Sequence, residues 1–189
     1  MPQILVFAAS VRSGSYNVKL ASEAARRLVA LGAEVTVLDL NDYEMPIYNG
    51  DLEARDGLPV AARELHDAFK THQGIFIASP EYNANVSPIL ANLLVWVSRV
   101  HDNGGMAAAF ATPIFAIGSA SPGSFGGYRG LMALRNSLEL QLAARVLPTM
   151  VAVGAAHDAF DEDGRLKSPI PDQMLDHVVS NLFAAVSKS

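Results

Sequence analysis

Hydrophobic residues occur along the chain in two patterns that alternate with each other. Short unbroken apolar runs are typical of strands buried on both faces of a sheet, and longer segments with apolar residues every three or four positions are typical of helices. The apolar runs predict strands at 4–8, 34–40, 74–78, 112–118 and 149–153. The periodic segments predict helices at 18–31, 60–70, 88–100, 130–144 and 170–187.

Regular alternation of five strands with five helices predicts an α/β fold. We expect a parallel five-stranded sheet with helices on both faces, a three-layer sandwich of the flavodoxin-like strand order 2-1-3-4-5, in one domain over residues 1–189. Ligands of such sheets bind beyond the carboxyl ends of the strands, where the strand order reverses. In this order the reversal lies between the first and third strands.

A polar segment, residues 8–17 with the sequence AASVRSGSYN, joins the first predicted strand to the first helix. Backbone N–H groups at a helix start and the helix dipole favour an anion there. Hydroxyls of Ser10, Ser13 and Ser15, the Asn17 amide and the Arg12 guanidinium add hydrogen-bond donors. The segment therefore predicts a phosphate site. The same residues are also common in turns and helix caps, and neither GxxxxGK[ST] nor GxGxxG is present.

Two further polar loops follow predicted strands at the same edge of the sheet. The third strand ends in Ser79-Pro80-Glu81-Tyr82-Asn83, and the fourth is followed by a loop of small residues at 119–127. The polar segment at 8–17 could hold a phosphate, while the loop at 79–83 faces the ring system attached to that phosphate.

Composition narrows the possible functions. The 189 residues are half hydrophobic, carry a formal net charge of −5 and include no cysteine. An acidic chain without a basic run is not expected to bind nucleic acid, and without thiols any redox chemistry needs a cofactor. We read no signal peptide and no membrane-spanning segment, so we expect a cytoplasmic protein.

Other segments carry weaker signals. The connection at 41–59 is long for a loop without secondary structure, so we expect it to cover part of the protein or to meet a partner subunit. The five histidines have no metal-binding spacing, and we expect each of them at the surface. The segment 157–164 is interpreted as an acidic turn, because its spacing does not fit a calcium-binding loop.

Three motifs resemble those of the NAD(P)H-dependent FMN reductases, a family that includes chromate, quinone and azo-dye reductases. The first loop is similar to the SxRxxSxN signature of that family. The loop at 79–83, with the helix ending Trp96-Val97-Ser98-Arg99, resembles its second signature, and the segment 121–127 resembles its third. The resemblance covers nearly the whole chain.

The resemblance implies an enzyme that takes a hydride from NADPH or NADH and passes electrons through FMN to a small acceptor. It implies no catalytic acid, base or nucleophile and no metal. It also implies a homodimer or homotetramer, with the segment 48–53 and Arg129 as candidate partner contacts. The residues expected to hold FMN are Ser10, Arg12, Ser13, Gly14, Ser15, Tyr16, Asn17, Pro80, Glu81, Tyr82, Asn83 and Ser121.

The chain departs from this family at three positions. Ala9 and Ile89 stand where glycine is usual, and Val95 stands where aspartate is usual. Trp96 is expected in the core or at an interface, and the Glu81 carboxylate is expected to point to solvent. Two alternatives to the enzyme are a flavodoxin-like electron carrier and a non-catalytic FMN-binding or regulatory protein.

Overall fold

Five parallel strands form the central sheet of the chain, for which a computed structural model describes residues 1–188. The strands are β1 (Gln3–Ala8), β2 (Glu34–Leu38), β3 (Gly74–Ala78), β4 (Ile114–Ala120) and β5 (Arg145–Val153). Their order across the sheet is β2-β1-β3-β4-β5. The predicted flavodoxin-like order is therefore confirmed.

Helices cover both faces of this sheet. They are α1 (Tyr16–Ala30), α2 (Gly50–Asp56), α3 (Val60–Thr71), α4 (Pro88–Ser98), α5 (Tyr128–Asn136), α6 (Ala156–Ala159) and α7 (Pro169–Val186). One face packs against α1 and α7, and the other packs against α3, α4 and α5. A separate hydrophobic core lies on each face of the sheet. Successive residues of β1 point to opposite faces: Val6 packs in the core beside α1 and α7, and Phe7 packs in the core beside α3, α4 and α5. Within residues 1–188, no helix is long and apolar enough to cross a membrane.

Several predicted boundaries were wrong. β4 begins at Ile114 rather than at Thr112, whose N–H closes a π-helical turn over Ala107–Ala111. β5 begins at Arg145 and includes Pro148, which an edge strand with a shifted register tolerates. The α-helical part of α5 ends at Asn136 and continues as a π-helical turn, so the predicted helix 130–144 was too long.

The connection at 41–59 is not a structureless loop. Its first two residues belong to a 3₁₀ helix at Leu40–Asp42, and its second half contains α2. The segment packs on α4: the Pro46 carbonyl accepts a 2.8 Å hydrogen bond from the indole of Trp96, whose ring meets that of Tyr48 edge-on at 5.0 Å. Glu53 pairs with Arg99 at 3.0 Å. The segment thus covers α4, and Trp96 is fully buried.

One histidine contradicts the expected surface placement. His66 on α3 is fully buried, and its Nε2 lies 2.9 Å from the Gly105 carbonyl oxygen. This backbone group satisfies one ring nitrogen, whereas the buried Nδ1 has no hydrogen-bond partner among the described residues. The predicted acidic turn is confirmed for residues 161–164, where Asp161 exchanges hydrogen bonds with Arg165 and accepts one from the Gly164 N–H, whereas residues 157–159 belong to α6.

A network of charged side chains joins α1 to α7. Arg27 and Glu23 on α1 are both buried and 2.8 Å apart, and Arg27 also pairs with Asp172 and Asp176 of α7. Arg26 approaches the same Glu23 carboxylate from the solvent side at 2.7 Å. Burial alone would raise the pKa of Glu23, but the two arginines outweigh burial and hold this pKa below its usual value.

Glu23 therefore makes the stability of the protein depend on pH. A carboxyl whose pKa is lower in the folded than in the unfolded chain stabilises the fold above its unfolded pKa, and this contribution is lost as the pH falls. We expect the urea midpoint to drop below about pH 4.5, and to drop less steeply in Glu23→Gln. Parallel pH profiles of the two proteins would contradict this role.

Candidate active site

Three loops meet at the carboxyl edge of the sheet. They follow the neighbouring strands β1, β3 and β4, and together they surround a cavity of about 220 Å³. All the predicted FMN-binding residues line this cavity except Ser13, Gly14 and Asn83. The structure thus brings the three sequence motifs together at the point where the strand order reverses.

The first loop presents hydroxyl groups at the start of α1. Ser10 and Ser15 are both buried, and Ser15 is the N-cap residue, but its hydroxyl makes no hydrogen bond to the helix. The first amides of α1 have no partners within the helix, as at any helix start. Gly14 turns the chain into the helix with φ +67°. The loop therefore offers hydroxyl and amide donors to an anion.

Arg12 belongs to this loop and folds back on it. Its guanidinium donates to the carbonyl oxygens of Ser13 and Gly14 at 3.2 and 3.4 Å, and it lies 5.9 Å from the centre of the Tyr16 ring. These hydrogen bonds are long and exposed, so a phosphate can replace them at little cost. Arg12 is therefore placed to bind an anion at this loop.

Asn17 has a partner that the sequence did not reveal. Its side-chain amide donates to the Ala120 carbonyl at 3.0 Å and accepts from the Ala120 N–H at 2.9 Å. This buried pair of hydrogen bonds ties the start of α1 to the end of β4. The amide thus positions two of the three loops against each other.

The second loop is a small β-hairpin. Glu81–Tyr82 pairs with Asn85–Val86 across the two-residue turn Asn83-Ala84, where both residues have positive φ. Positive φ at both turn positions is typical of a type I′ turn. Asn83 is at the tip of this turn, which explains why it does not line the cavity. Tyr82 lines the cavity and is about half exposed.

Glu81 does not point to solvent, so this prediction was wrong. Its carboxylate accepts a 2.9 Å hydrogen bond from the Gly130 N–H in the first turn of α5 and a 3.0 Å bond from the Arg129 side chain. Burial would raise the pKa of Glu81, but the Gly130 N–H and Arg129 outweigh burial and keep it below its usual value. Glu81 is thus an ionised helix cap rather than a proton donor, and Arg129 has its partner within this chain.

The third loop packs tightly beneath the cavity. A Cβ on Gly127 would lie 1.9 Å from the Ser119 hydroxyl oxygen, and a Cβ on Gly126 would lie 2.7 Å from the backbone of β5. Ser121 is held by its N–H, which donates to the Val153 carbonyl at 3.0 Å, while its hydroxyl accepts a long bond from the Gly123 N–H. Glycine therefore keeps this wall of the cavity close to the sheet.

Ala120 and Pro122 complete the cavity and were not predicted. Neither side chain is polar or reactive, and Ala120 contributes through its backbone. The sequence therefore offers no reason to predict that these two residues line the site. Taken together, the site can hold an anion at the first loop and a flat group beside the second and third loops. This donor set fits the phosphate and ring system of FMN.

Comparison with known proteins identifies the family. The family profile described as NADPH-dependent FMN reductase matches residues 2–158. The chain belongs to the NADPH-dependent FMN reductase family. It is 32% identical over 164 residues to an NAD(P)H-dependent FMN reductase of Pseudomonas aeruginosa, covering 87% of this chain and 84% of that protein. It is 30% identical to a quinone reductase of Pseudomonas putida strain KT2440, covering 86% and 83% of the two chains.

Solved structures agree with this FMN reductase fold. FerB, a flavoenzyme NAD(P)H:(acceptor) oxidoreductase of Paracoccus denitrificans, aligns with a TM-score of 0.78 at 23% identity, covering 100% of this chain and 98% of FerB. A flavodoxin of Pseudomonas aeruginosa aligns with a TM-score of 0.55 at 16% identity, covering 98% and 99% of the two chains. Family membership confirms the expected flavin-dependent oxidoreductase, with FMN as cofactor and NAD(P)H as electron donor.

Proposed function

We propose that this chain binds FMN with its phosphate at the first loop and its ring beside the second loop. The reductase would accept a hydride from NADPH or NADH and reduce a small acceptor such as a quinone, chromate, an azo compound or free flavin. The observation that supports this most strongly is the convergence of the three loops on one cavity at the reversal of strand order.

Side chains of the first loop bind the phosphate in this proposal. Ser10, Ser13 and Ser15 donate hydroxyl hydrogen bonds, Arg12 leaves the carbonyls of its own loop to donate to phosphate oxygens, and Gly14 and Tyr16 close the loop. Charged donors of this kind make the strongest hydrogen bonds available in a protein. Asn17 contributes by holding the first loop against β4.

The second and third loops position the ring. Pro80 and Tyr82 contact it mainly through backbone groups, Asn83 forms the turn of the hairpin that carries Tyr82, and Ser121 approaches the polar edge of the ring. FMN supplies the hydride chemistry when bound, while the protein supplies orientation and electrostatics. The Glu81 carboxylate caps α5, so Glu81 holds the hairpin in place and takes part in no proton transfer.

We propose that the functional form is a homodimer or homotetramer. The cavity of about 220 Å³ is smaller than the roughly 300 Å³ at which small-molecule sites begin, so this chain alone covers only part of a flavin. Tyr82, Phe125 and Tyr128 leave aromatic surface exposed nearby. Light scattering that finds a dimer or tetramer supports the proposal, and a monomer at assay concentration contradicts it.

Replacing Arg12 with alanine tests the phosphate site. We expect FMN affinity to fall by about 1.5–3 kcal/mol, roughly 10- to 150-fold, because a charged hydrogen-bond donor is lost. Fluorescence titration of FMN measures this change. The control is Arg26→Ala, which removes an arginine outside the cavity and is expected to leave FMN affinity unchanged. Equal affinities of the two variants would place the phosphate elsewhere.

A further inference from the structure

A second cavity lies on the other side of the first loop. It measures about 440 Å³ and is formed by the first turns of α1 and the end of β2. This volume is within the range of about 300 to 1,000 Å³ that small-molecule sites occupy. Ser10, Arg12 and Ser15 line both this cavity and the proposed flavin cavity. The phosphate-binding loop therefore forms a wall shared by two neighbouring cavities.

The walls of the second cavity combine apolar and charged groups. Val18 on α1 and Val37 on β2 expose 44% and 61% of their surface, although both are apolar. Arg12 and Lys19 add positive charge on the side of α1. Small-molecule sites typically join apolar walls to a few polar groups in this way. The set suits a flat heterocycle that is attached to a phosphate.

Asp39 supplies a further polar group at the end of β2. Its Oδ1 accepts hydrogen bonds from the backbone N–H and side-chain amide of Asn41 at 2.9 and 2.8 Å, which fixes the carboxylate. Both residues line the second cavity. In the Rossmann dinucleotide-binding fold, an acidic residue about 20 residues beyond the phosphate-binding turn hydrogen-bonds the ribose 2′-hydroxyl of NAD. Oδ2 of Asp39 is the oxygen that a ribose would meet.

We propose that the second cavity binds the adenosine 5′-phosphate half of a dinucleotide. Val18 and Val37 contact the adenine, Asp39 contacts the ribose, and Arg12 and Lys19 contact the phosphates. This half can come from FAD, whose flavin half occupies the first cavity, or from NADH bound beside FMN, because a carboxylate at the ribose disfavours the 2′-phosphate of NADPH. The inference rests on the proposed flavin site, because the shared loop must hold phosphate for either nucleotide to span the two cavities.

Titrations with FMN, FAD and ADP test this assignment, with intrinsic fluorescence and thermal melting as readouts. The variant is Val37→Glu, which places a negative charge in the second cavity. Its control is Val29→Glu on α1, because Val29 is similarly exposed, at 58%, and does not line the cavity. We expect Val37→Glu to weaken ADP and FAD binding at least tenfold, about 1.4 kcal/mol, and to leave FMN binding unchanged. Val29→Glu should bind all three ligands as the parent protein does.

The titrations also identify the source of the adenosine. ADP binding to the protein saturated with FMN supports NADH, whereas FAD binding more tightly than FMN supports FAD. No ADP binding with or without FMN, or equal ADP and FAD affinities in the two variants, overturns the assignment. If ADP binds in a manner sensitive to Val37→Glu while FMN does not bind, the adenosine site stands and the proposed flavin function fails.

Discussion

The Arg27→Ala variant is expected to lose about 3–5 kcal/mol of unfolding free energy, because removing one partner of a buried ion pair leaves the other charge uncompensated. Glu23 would remain with only Arg26, and α7 would lose the contacts that Arg27 makes to Asp172 and Asp176. Urea denaturation followed by circular dichroism measures the loss.

Arg26→Ala is the matched control for this variant. Arg26 contacts the same Glu23 carboxylate, but its side chain is 52% exposed, and exposed ion pairs contribute only about 0–1 kcal/mol. A loss for Arg27→Ala no larger than that for Arg26→Ala would show that the α1–α7 network does not stabilise the fold.

Replacing Gly127 with alanine is expected to cost about 2–5 kcal/mol of stability and to displace the third loop. The left-handed backbone, φ +86°, costs an alanine about 1–2 kcal/mol, and the added Cβ overlaps the Ser119 side chain, for which overpacking costs about 1–3 kcal/mol. Because this loop lines the proposed flavin cavity, FMN affinity should fall as well. Thermal melting and FMN titration measure the two effects.

Gly123→Ala controls for the change of glycine to alanine in the same loop. A Cβ there would have its nearest contact at 3.8 Å, the Ser121 hydroxyl oxygen, so we expect little change in stability. Ser119→Gly in the Gly127→Ala background removes both overlapping atoms and should restore part of the loss. Equal stability of the two alanine variants would show that the close packing under the third loop is unimportant.

The sheet was predictable because its signal is local. β1 and β3 are unbroken apolar runs, and burial on both faces by two layers of helices is what such runs indicate. α2 was missed for the converse reason: none of its residues is buried, so it has no apolar side and no hydrophobic periodicity. The hairpin after β3 was missed because strands of two residues are too short to show alternation.

The first loop was predictable in composition but not in its contacts. Hydroxyls and an arginine before a helix indicate an anion site, and the structure places Ser10, Arg12 and Ser15 around one cavity. The partners of Asn17 and Glu81 were not predictable, because they lie 103 and 49 residues away along the chain and are backbone groups. His66 was mistaken for a surface residue because its partner is the carbonyl of a distant glycine.

Anaerobic reduction of the FMN-saturated protein distinguishes a reductase from an electron carrier. NADPH or NADH is mixed with the complex in a stopped-flow instrument, and the visible absorbance of the flavin is followed before and after a quinone is added. We expect at least one nucleotide to bleach the bound flavin faster than it bleaches free FMN, and we expect the quinone to restore the absorbance. Bound flavin that stays oxidised with both nucleotides would contradict the reductase and indicate an electron carrier on the same fold.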